Sequence, residues 1–274
     1  DGLSESTVKV IVEDHNGFIY IGTENGLDIY DGYNFKNYHM NSFEDNSLLG
    51  NKVSCIFEDS NNMIWIGTEL GISVFNPLER SFRRPINPVD LNEEILADPE
   101  TIIDDSKGNI WIKLSNSSKI YKHNIENRKT HSLSSLNPSI SNYEDIKILF
   151  KDSSDVIWIG TNKGLHYINA EDETITKYSL FNNTEFQVNT MENGSKNTLW
   201  VGTNDGLIKI KDGVDGESQI FKKTKSSNSL ISNIINDIAW DFKRKNLWVA
   251  TSDGLSRYSL SNQRFHNIQT TPFA

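Results

Sequence analysis

Short apolar segments of four to six residues, set apart by polar turns rich in Asp, Asn and Gly, follow one another along the chain. The first set reads Val8–Glu13, the turn Asp14-His15-Asn16-Gly17, Phe18–Thr23, the turn Glu24-Asn25-Gly26, Leu27–Tyr30, the turn Asp31-Gly32-Tyr33-Asn34, and Phe35–Tyr38. Runs of this length bounded by such turns predict four antiparallel strands joined by tight hairpins. The set then recurs. Ile64-Trp65-Ile66-Gly67-Thr68 has counterparts at 19–23, 110–114, 157–161, 199–203 and 247–251, and the aromatic positions 20, 65, 111, 158, 200 and 248 lie 45, 46, 47, 42 and 48 residues apart. Self-similarity at roughly 40–50 residues with four short strands per repeat is the mark of propeller blades. The expected fold is therefore an all-β β-propeller of six four-stranded repeats, at about 3–48, 49–97, 98–140, 141–184, 185–230 and 231–274, in one domain spanning 1–274.

Fixed offsets reinforce the phase. Ten residues beyond each aromatic stand Tyr30, Phe75, Tyr121, Ile168, Ile210 and Tyr258, and six beyond stand Gly26, Gly71, Ser117, Gly164, Gly206 and Gly254. The Gly two places after the aromatic (Gly22, Gly67, Gly160, Gly202) predicts close backbone approach between blades or a strand kink. Trp65, Trp111, Trp158, Trp200 and Trp248 are expected to pack blade against blade, each burying a large apolar area. The third repeat departs, with Lys113, Leu114, Ser117 and Ser118 in the Gly, Thr, Gly and Leu places, through drift or to make a functional surface.

Composition narrows the partners. Among 274 residues, 36% hydrophobic and 10% aromatic content supports a core despite a mean hydropathy of -0.50. A formal charge of -10 and no basic cluster interleaved with aromatics exclude nucleic acid and anionic membrane as expected partners. The single cysteine, Cys55, excludes an intrachain disulfide and, within Val53-Ser54-Cys55-Ile56-Phe57, reads as a buried packing residue. No run of 18 apolar residues occurs and the N-terminus is not basic-then-apolar, so neither direct membrane insertion nor an export signal is expected in this piece; a fragment of a longer exported protein would read the same.

Asp1-Gly2-Leu3-Ser4, Val8, Glu13-Asp14, Gly17, Ile21-Gly22-Thr23, Gly26-Leu27, Tyr30-Asp31-Gly32 and Phe35 resemble the opening blade of the two-component regulator propeller family. The resemblance extends over essentially the whole chain. It implies the periplasmic sensor of a hybrid two-component histidine kinase that controls polysaccharide use in gut anaerobes. It also implies a glycan-fragment ligand, a dimeric parent, and a second propeller and a β-sandwich in the same parent chain. Family members carry seven blades per propeller, so six repeats are similar to part of an N-terminal propeller, the alternative being six blades that close on themselves.

Binding is expected on one face. The connections His39–Asn51, Arg83–Glu100, His131–Tyr143, Leu180–Gln187 and Lys222–Asn233 vary in length and content, and Leu91–Leu96 suits a helical turn. They should emerge beside the Thr-x-x-Gly turns, because an up-and-down blade places its second and fourth turns at one end. Variable loops on a rigid scaffold are where binding residues concentrate. There Glu24, Asn25, Asn162, Lys163, Asn204, Asp205 and Asp253 offer hydrogen-bonding side chains and His39, Phe43 and Tyr143 offer rings, the combination a sugar site requires.

The turns at Asp14, Asp59, Asp104-Asp105 and Asp152 lack the frame and closing Glu of a calcium loop and read as hairpin turns. No metal ligands, cofactor or catalytic set is nominated, and no nucleophile elbow or phosphate loop occurs. Three readings follow: a non-catalytic sensor propeller binding a glycan fragment or transmitting its binding to a kinase, a propeller lyase or glycosidase with His166 or Glu69 as the residues to mutate, and a protein-interaction scaffold that includes a homodimer.

Overall fold

The computed structural model describes residues 2–86, 98–115, 117, 119–133, 145–169, 172–180 and 185–268. Their regular structure is entirely β: six four-stranded sheets, each an antiparallel meander in sequence order. The first sheet holds β1 (Val8–Glu13), β2 (Ile19–Thr23), β3 (Gly26–Tyr30) and β4 (Phe35–Tyr38), and the second holds β5 (Val53–Glu58), β6 (Ile64–Thr68), β7 (Gly71–Asn76) and β8 (Ser81–Arg83). The third holds β9 (Pro99–Asp104), β10 (Asn109–Leu114), β11 (Ile120–Asn124) and β12 (Thr130–Ser132), and the fourth β13 (Ile146–Lys151), β14 (Ile157–Thr161), β15 (Gly164–Ile168) and β16 (Ile175–Lys177). The fifth holds β17 (Val188–Asn193), β18 (Thr198–Thr203), β19 (Gly206–Lys211) and β20 (Glu217–Phe221), and the sixth β21 (Ile235–Asp241), β22 (Asn246–Thr251), β23 (Gly254–Ser259) and β24 (Arg264–Ile268).

These are the six predicted blades. They fall into two compact units, Asp1–Leu136 with the first three sheets and Asn137–Ala274 with the last three. The helical turn expected at Leu91–Leu96 lies outside the described residues.

Within each unit the first strands of successive sheets lie side by side, β1 against β5 and β5 against β9 in one, β13 against β17 and β17 against β21 in the other. Core clusters of the described residues are shared by two consecutive sheets. Tyr20, Leu27 and Ile29 of the first sheet pack with Val53, Ile64 and Phe75 of the second, and Trp200 and Leu207 of the fifth pack with Ile238, Leu247 and Tyr258 of the sixth. The repeat offsets explain this arrangement. The second-strand aromatic of one sheet meets the residue ten places beyond the aromatic of the next: Tyr20 with Phe75, Trp65 with Tyr121, Trp158 with Ile210, Trp200 with Tyr258. Edge-on ring contacts at centroid separations of 6.4 Å for Tyr20–Phe75 and 5.5 Å for Trp200–Tyr258 fit the ring quadrupoles.

The expected burial of the indoles holds for Trp65, Trp111, Trp158 and Trp200. Trp248 is half-buried, with the Arg257 guanidinium 5.8 Å from its ring centroid.

The Gly two residues after the aromatic is there for close approach. A Cβ on Gly22 would lie 2.5 Å from Val53 Cγ1, one on Gly160 2.6 Å from Val188 Cγ1, and one on Gly202 2.7 Å from Ile235 Cγ2, each neighbour being the first residue of the next sheet. On Gly67 it would collide with Pro99 Cγ. In the third sheet the same place holds Lys113, 2% exposed, whose Nζ pairs with Glu100 and also reaches the Leu114 carbonyl. A buried ammonium needs such a partner, and Lys113 belongs to the interior rather than to a functional surface.

Cys55 is 7% exposed, and burial pushes its thiol up to about 12. On the first strands of the last two sheets, Glu192 is held above its ordinary value of 4.5 by desolvation and then by the nearby Asp237.

Two outcomes follow. Gly67→Val should lower the urea midpoint followed by tryptophan fluorescence, by about 1–3 kcal/mol of overpacking, whereas Gly2→Ala, with nothing within 4 Å of the added carbon, should leave it unchanged. Because the fold disfavours the ionised form of Glu192, Glu192→Gln should raise the midpoint at pH 7. That gain should shrink as pH falls below the usual carboxylate range, where Glu192 is neutral in folded and unfolded chains alike.

Candidate functional site

Two ends of each sheet present turns, and they differ in character. At one end are the Thr-x-x-Gly turns and the loops that lead into the next sheet. The Thr23 hydroxyl donates to the Gly26 carbonyl at 3.0 Å and accepts the Asn25 N–H at 3.0 Å, while Gly26 adopts φ 120°, a conformation side chains rarely permit. Thr68, Thr161, Thr203 and Thr251 make the same bond to Gly71, Gly164, Gly206 and Gly254.

These turns are stitched to the leading loops. The Gly26 N–H donates to the Asn51 carbonyl at 2.7 Å and the Gly206 N–H to the Asn233 carbonyl at 2.8 Å, which brings both sets of turns to one end as expected. The residue after the Thr often clamps the loop that enters its own sheet. Glu69 accepts the Asn51 and Lys52 N–H groups, Asn162 the Asp145 N–H, and Asn204 the Gln187 N–H.

The sequence-nominated residues therefore divide by role. Asn162 and Asn204 hold loops, and Lys163 donates its backbone N–H to Thr161. Glu24 pairs with Lys9 at 2.8 Å, and that partner draws its carboxyl below the ordinary value. Asp205 pairs with Lys222 at 2.6 Å, and Asp253 pairs with Lys223 at 3.3 Å and is lowered by it. The adjacent lysines thus tie the Thr-x-x-Gly turns of the fifth and sixth sheets to one loop. In the other unit the exposed His39 sits beside the Asn25-Gly26 turn, since a Cβ on Gly26 would come within 2.8 Å of His39 Nδ1. Phe43 is 97% exposed. Tyr143 lies outside the described residues.

The opposite end carries the Asp turns, whose organisation the sequence reading missed. Asp59 Oδ1 accepts the Asn61 and Met63 N–H groups, and its Oδ2 accepts the Trp65 indole N–H at 2.8 Å. Asp105 does the same for Trp111 at 2.8 Å and Asp152 for Trp158 at 2.7 Å, while Asp14 takes the Tyr20 hydroxyl at 3.3 Å. The signal was an Asp six residues before the aromatic in four of the repeats.

The residue after that Asp makes a joint to the next sheet. The His15 N–H donates to Glu58, the Ser60 N–H to Asp104 and the Ser153 N–H to Asn193, at 2.9–3.0 Å. Each acceptor occupies the place just before the Asp position of its own repeat. In the sixth sheet that place holds Asp241, whose Oδ1 accepts the Arg244 N–H of its own turn. Asp14, His15 and Glu58 bring ligand atoms within 4.8 Å of one another. Yet Asp14 already accepts from Asn16, Phe18 and Tyr20, and His15 Nδ1 pairs with Glu58, so the cluster is the first copy of a repeated joint.

Among the described residues, clefts open between consecutive sheets. One of about 560 Å³ between the first and second is lined by Phe18, Tyr20, Asp31, Lys36, Tyr38 and Arg80 among others. One of about 420 Å³ lies between the second and third, and one of about 950 Å³ between the fourth and fifth, near Tyr167, Tyr178 and Glu217.

Residues 2–25 and 47–69 match the two component regulator propeller family. Comparison with curated protein sequences finds no match. Among solved structures, the chain is similar to the extracellular domain assigned to a hybrid two component system, BT4673, of B. thetaiotaomicron, at 21% identity and TM-score 0.67 over 99% of this chain and 34% of that one. The corresponding domain of BT3049 from the same organism gives 20% identity and TM-score 0.58 over 91% and 39%. Virginiamycin B lyase from Staphylococcus aureus gives 16% identity and TM-score 0.62 over 98% and 86%. The chain thus spans about a third of the first of these proteins, and at such identities the likeness shows the fold. The six sheets are propeller blades, and residues 2–25 and 47–69, in the first two, match the two component regulator propeller family.

Proposed function

We propose that the chain is a sensor propeller from the extracytoplasmic part of a two-component system, lying in the periplasm, and that it binds a glycan fragment or transmits such binding towards a histidine kinase. The observation that carries this reading is the family match at 2–25 and 47–69, supported by the fold shared with extracellular domains assigned to hybrid two component systems. The Thr-x-x-Gly end suits the role. Its turns are pinned by hydroxyl and clamp bonds, so side chains that project from them, such as Asn25 and His39, stand on a fixed frame, and pre-organisation lowers the cost of binding.

A second propeller, a β-sandwich and a second copy of the parent are the partners this reading assigns. A lyase reading has the fold likeness to virginiamycin B lyase in its favour. Against it, Glu69 spends both carboxylate oxygens on the Asn51 and Lys52 N–H groups, and His166 is 1% exposed.

Isothermal titration of the chain against a broad panel of oligosaccharides checks the proposal. Saturable heat with one glycan class, weakened about fivefold or more by Asn25→Ala or His39→Ala, is the expected result. Silence across the panel, or turnover of a glycan that is abolished by His166→Ala, would count against a non-catalytic sensor.

A further inference from the structure

The cleft between the second and third sheets differs in its charge from those between the first and second and between the fourth and fifth. We propose that it binds an oxyanion, a carboxylate, sulfate or phosphate group on a small ligand, through Arg83, Arg84 and Arg128. Arg83 ends β8, Arg84 follows it, and Arg128 sits in the turn between β11 and β12 with φ 57°, so two sheets supply the three guanidiniums. The floor is apolar, with Met63, Trp65, Val74 and Ile125. At about 420 Å³ the cleft falls at the small end of the roughly 300–1,000 Å³ range of ligand pockets.

Charge balance distinguishes it. The cleft between the first and second sheets sets Lys36 and Arg80 against Asp14 and Asp31, and that between the fourth and fifth sets Lys177 against Asp215 and Glu217. Here, among the described residues, three arginines face one carboxylate, Asp59, whose oxygens already accept from the Asn61 and Met63 N–H groups and the Trp65 indole. Those three donors engage both oxygens of Asp59, which turns the carboxylate towards its own turn and ring rather than towards the arginines.

The bonds the arginines do make leave their charge uncompensated. Arg83 Nη2 donates to the Met63 thioether at 3.1 Å, a weak and neutral acceptor. Arg84 approaches Asp45 at 3.7 Å, but that Asp is fully exposed, and such a pair is worth little. In a chain of net charge -10, three cations over one apolar floor make a local attractor for an anion. Guanidinium forks match the paired oxygens of carboxylate, sulfate and phosphate. His123, against the Trp65 ring at 5.9 Å, closes the inner wall and engages Thr130. The site is independent of the Thr-x-x-Gly end and of what binds there.

Titration of the intact chain at low ionic strength tests the site with three probes: digalacturonate, inorganic phosphate, and cellobiose as a neutral disaccharide. Saturable binding of digalacturonate or phosphate is expected, with affinity falling as salt is raised. Arg128→Gln and the double variant Arg83→Gln/Arg84→Gln should each weaken it about tenfold or more, while Lys177→Gln, in the cleft between the fourth and fifth sheets, leaves it unchanged. Digalacturonate binding more tightly than phosphate would assign the site to a carboxylated sugar, and equal binding would assign it to the bare oxyanion. All three arginines are exposed, so the variants should keep the parent's urea midpoint; protection of the arginines from butanedione by the bound probe gives a readout that needs no variant. The proposal fails if neither anion binds, if cellobiose binds equally well, or if binding survives in both arginine variants.

Discussion

The structure depends on a buried aromatic carried on the second strand and pressed against the following sheet, Tyr20 and Trp65 in one unit and Trp158 and Trp200 in the other. An indole in that place gains the free energy of removing a large apolar surface from water, but its N–H must not be left without an acceptor. Asp59, Asp105 and Asp152 meet that requirement from within the same hairpin. The carboxylate also takes two backbone N–H groups of the turn, so one side chain fixes the turn and the ring together. Hydrogen bonds to a charged group contribute about 1.5–3 kcal/mol each, which makes this Asp a strong local determinant of where the ring points.

Once the ring is fixed, the sheet-to-sheet spacing follows. The ring needs a partner on the next sheet, and the residue ten places beyond that sheet's own aromatic provides it. Two residues along the same strand, absence of a side chain lets the next first strand come into van der Waals contact. The two constraints act at different depths of one interface, one filling space and the other removing it. Their spacing of two residues places them on the same side of the strand. Where one is altered, compensation appears nearby: Lys113 replaces the Gly and brings Glu100 with it.

The scaffold was legible in the sequence because repetition samples the same constraint six times. Turn residues, the aromatic period and the Gly offset each recur, so local ambiguity in one repeat is resolved by the others. The joints were harder to read. Asp14, Asp59, Asp105 and Asp152 were visible as turn formers, but their bond to the aromatic depends on the hairpin folding the sixth residue back over the first. The candidate site was legible only as a face. The positions after Thr look like available hydrogen-bonding groups in a string of letters, and Asn162 and Asn204 instead spend their carbonyls on backbone N–H groups seventeen residues away. No local pattern records such a bond, because the length of the first hairpin decides which N–H arrives.

The clefts show why a repeat architecture hides its chemistry from motif reading. Two of them, between the first and second and between the second and third sheets, share one construction, a gap beside the Asp turn and the second-strand aromatic, so their existence is a property of the repeat. Their lining is not. The outer strands and third turns carry few fold constraints, being exposed on one side, and their residues vary freely: Lys36 and Arg80 with two acids in one cleft, three arginines in another, tyrosines and acids in a third. Arg83, Arg84 and Arg128 lie 45 residues apart at the extremes and share no motif, yet they converge because one sheet's fourth strand faces the next sheet's third turn. Chemistry in such a fold resides in the differences between copies at equivalent places, and those differences acquire meaning only when the interface that the aromatic and the Gly define has set which copies face each other.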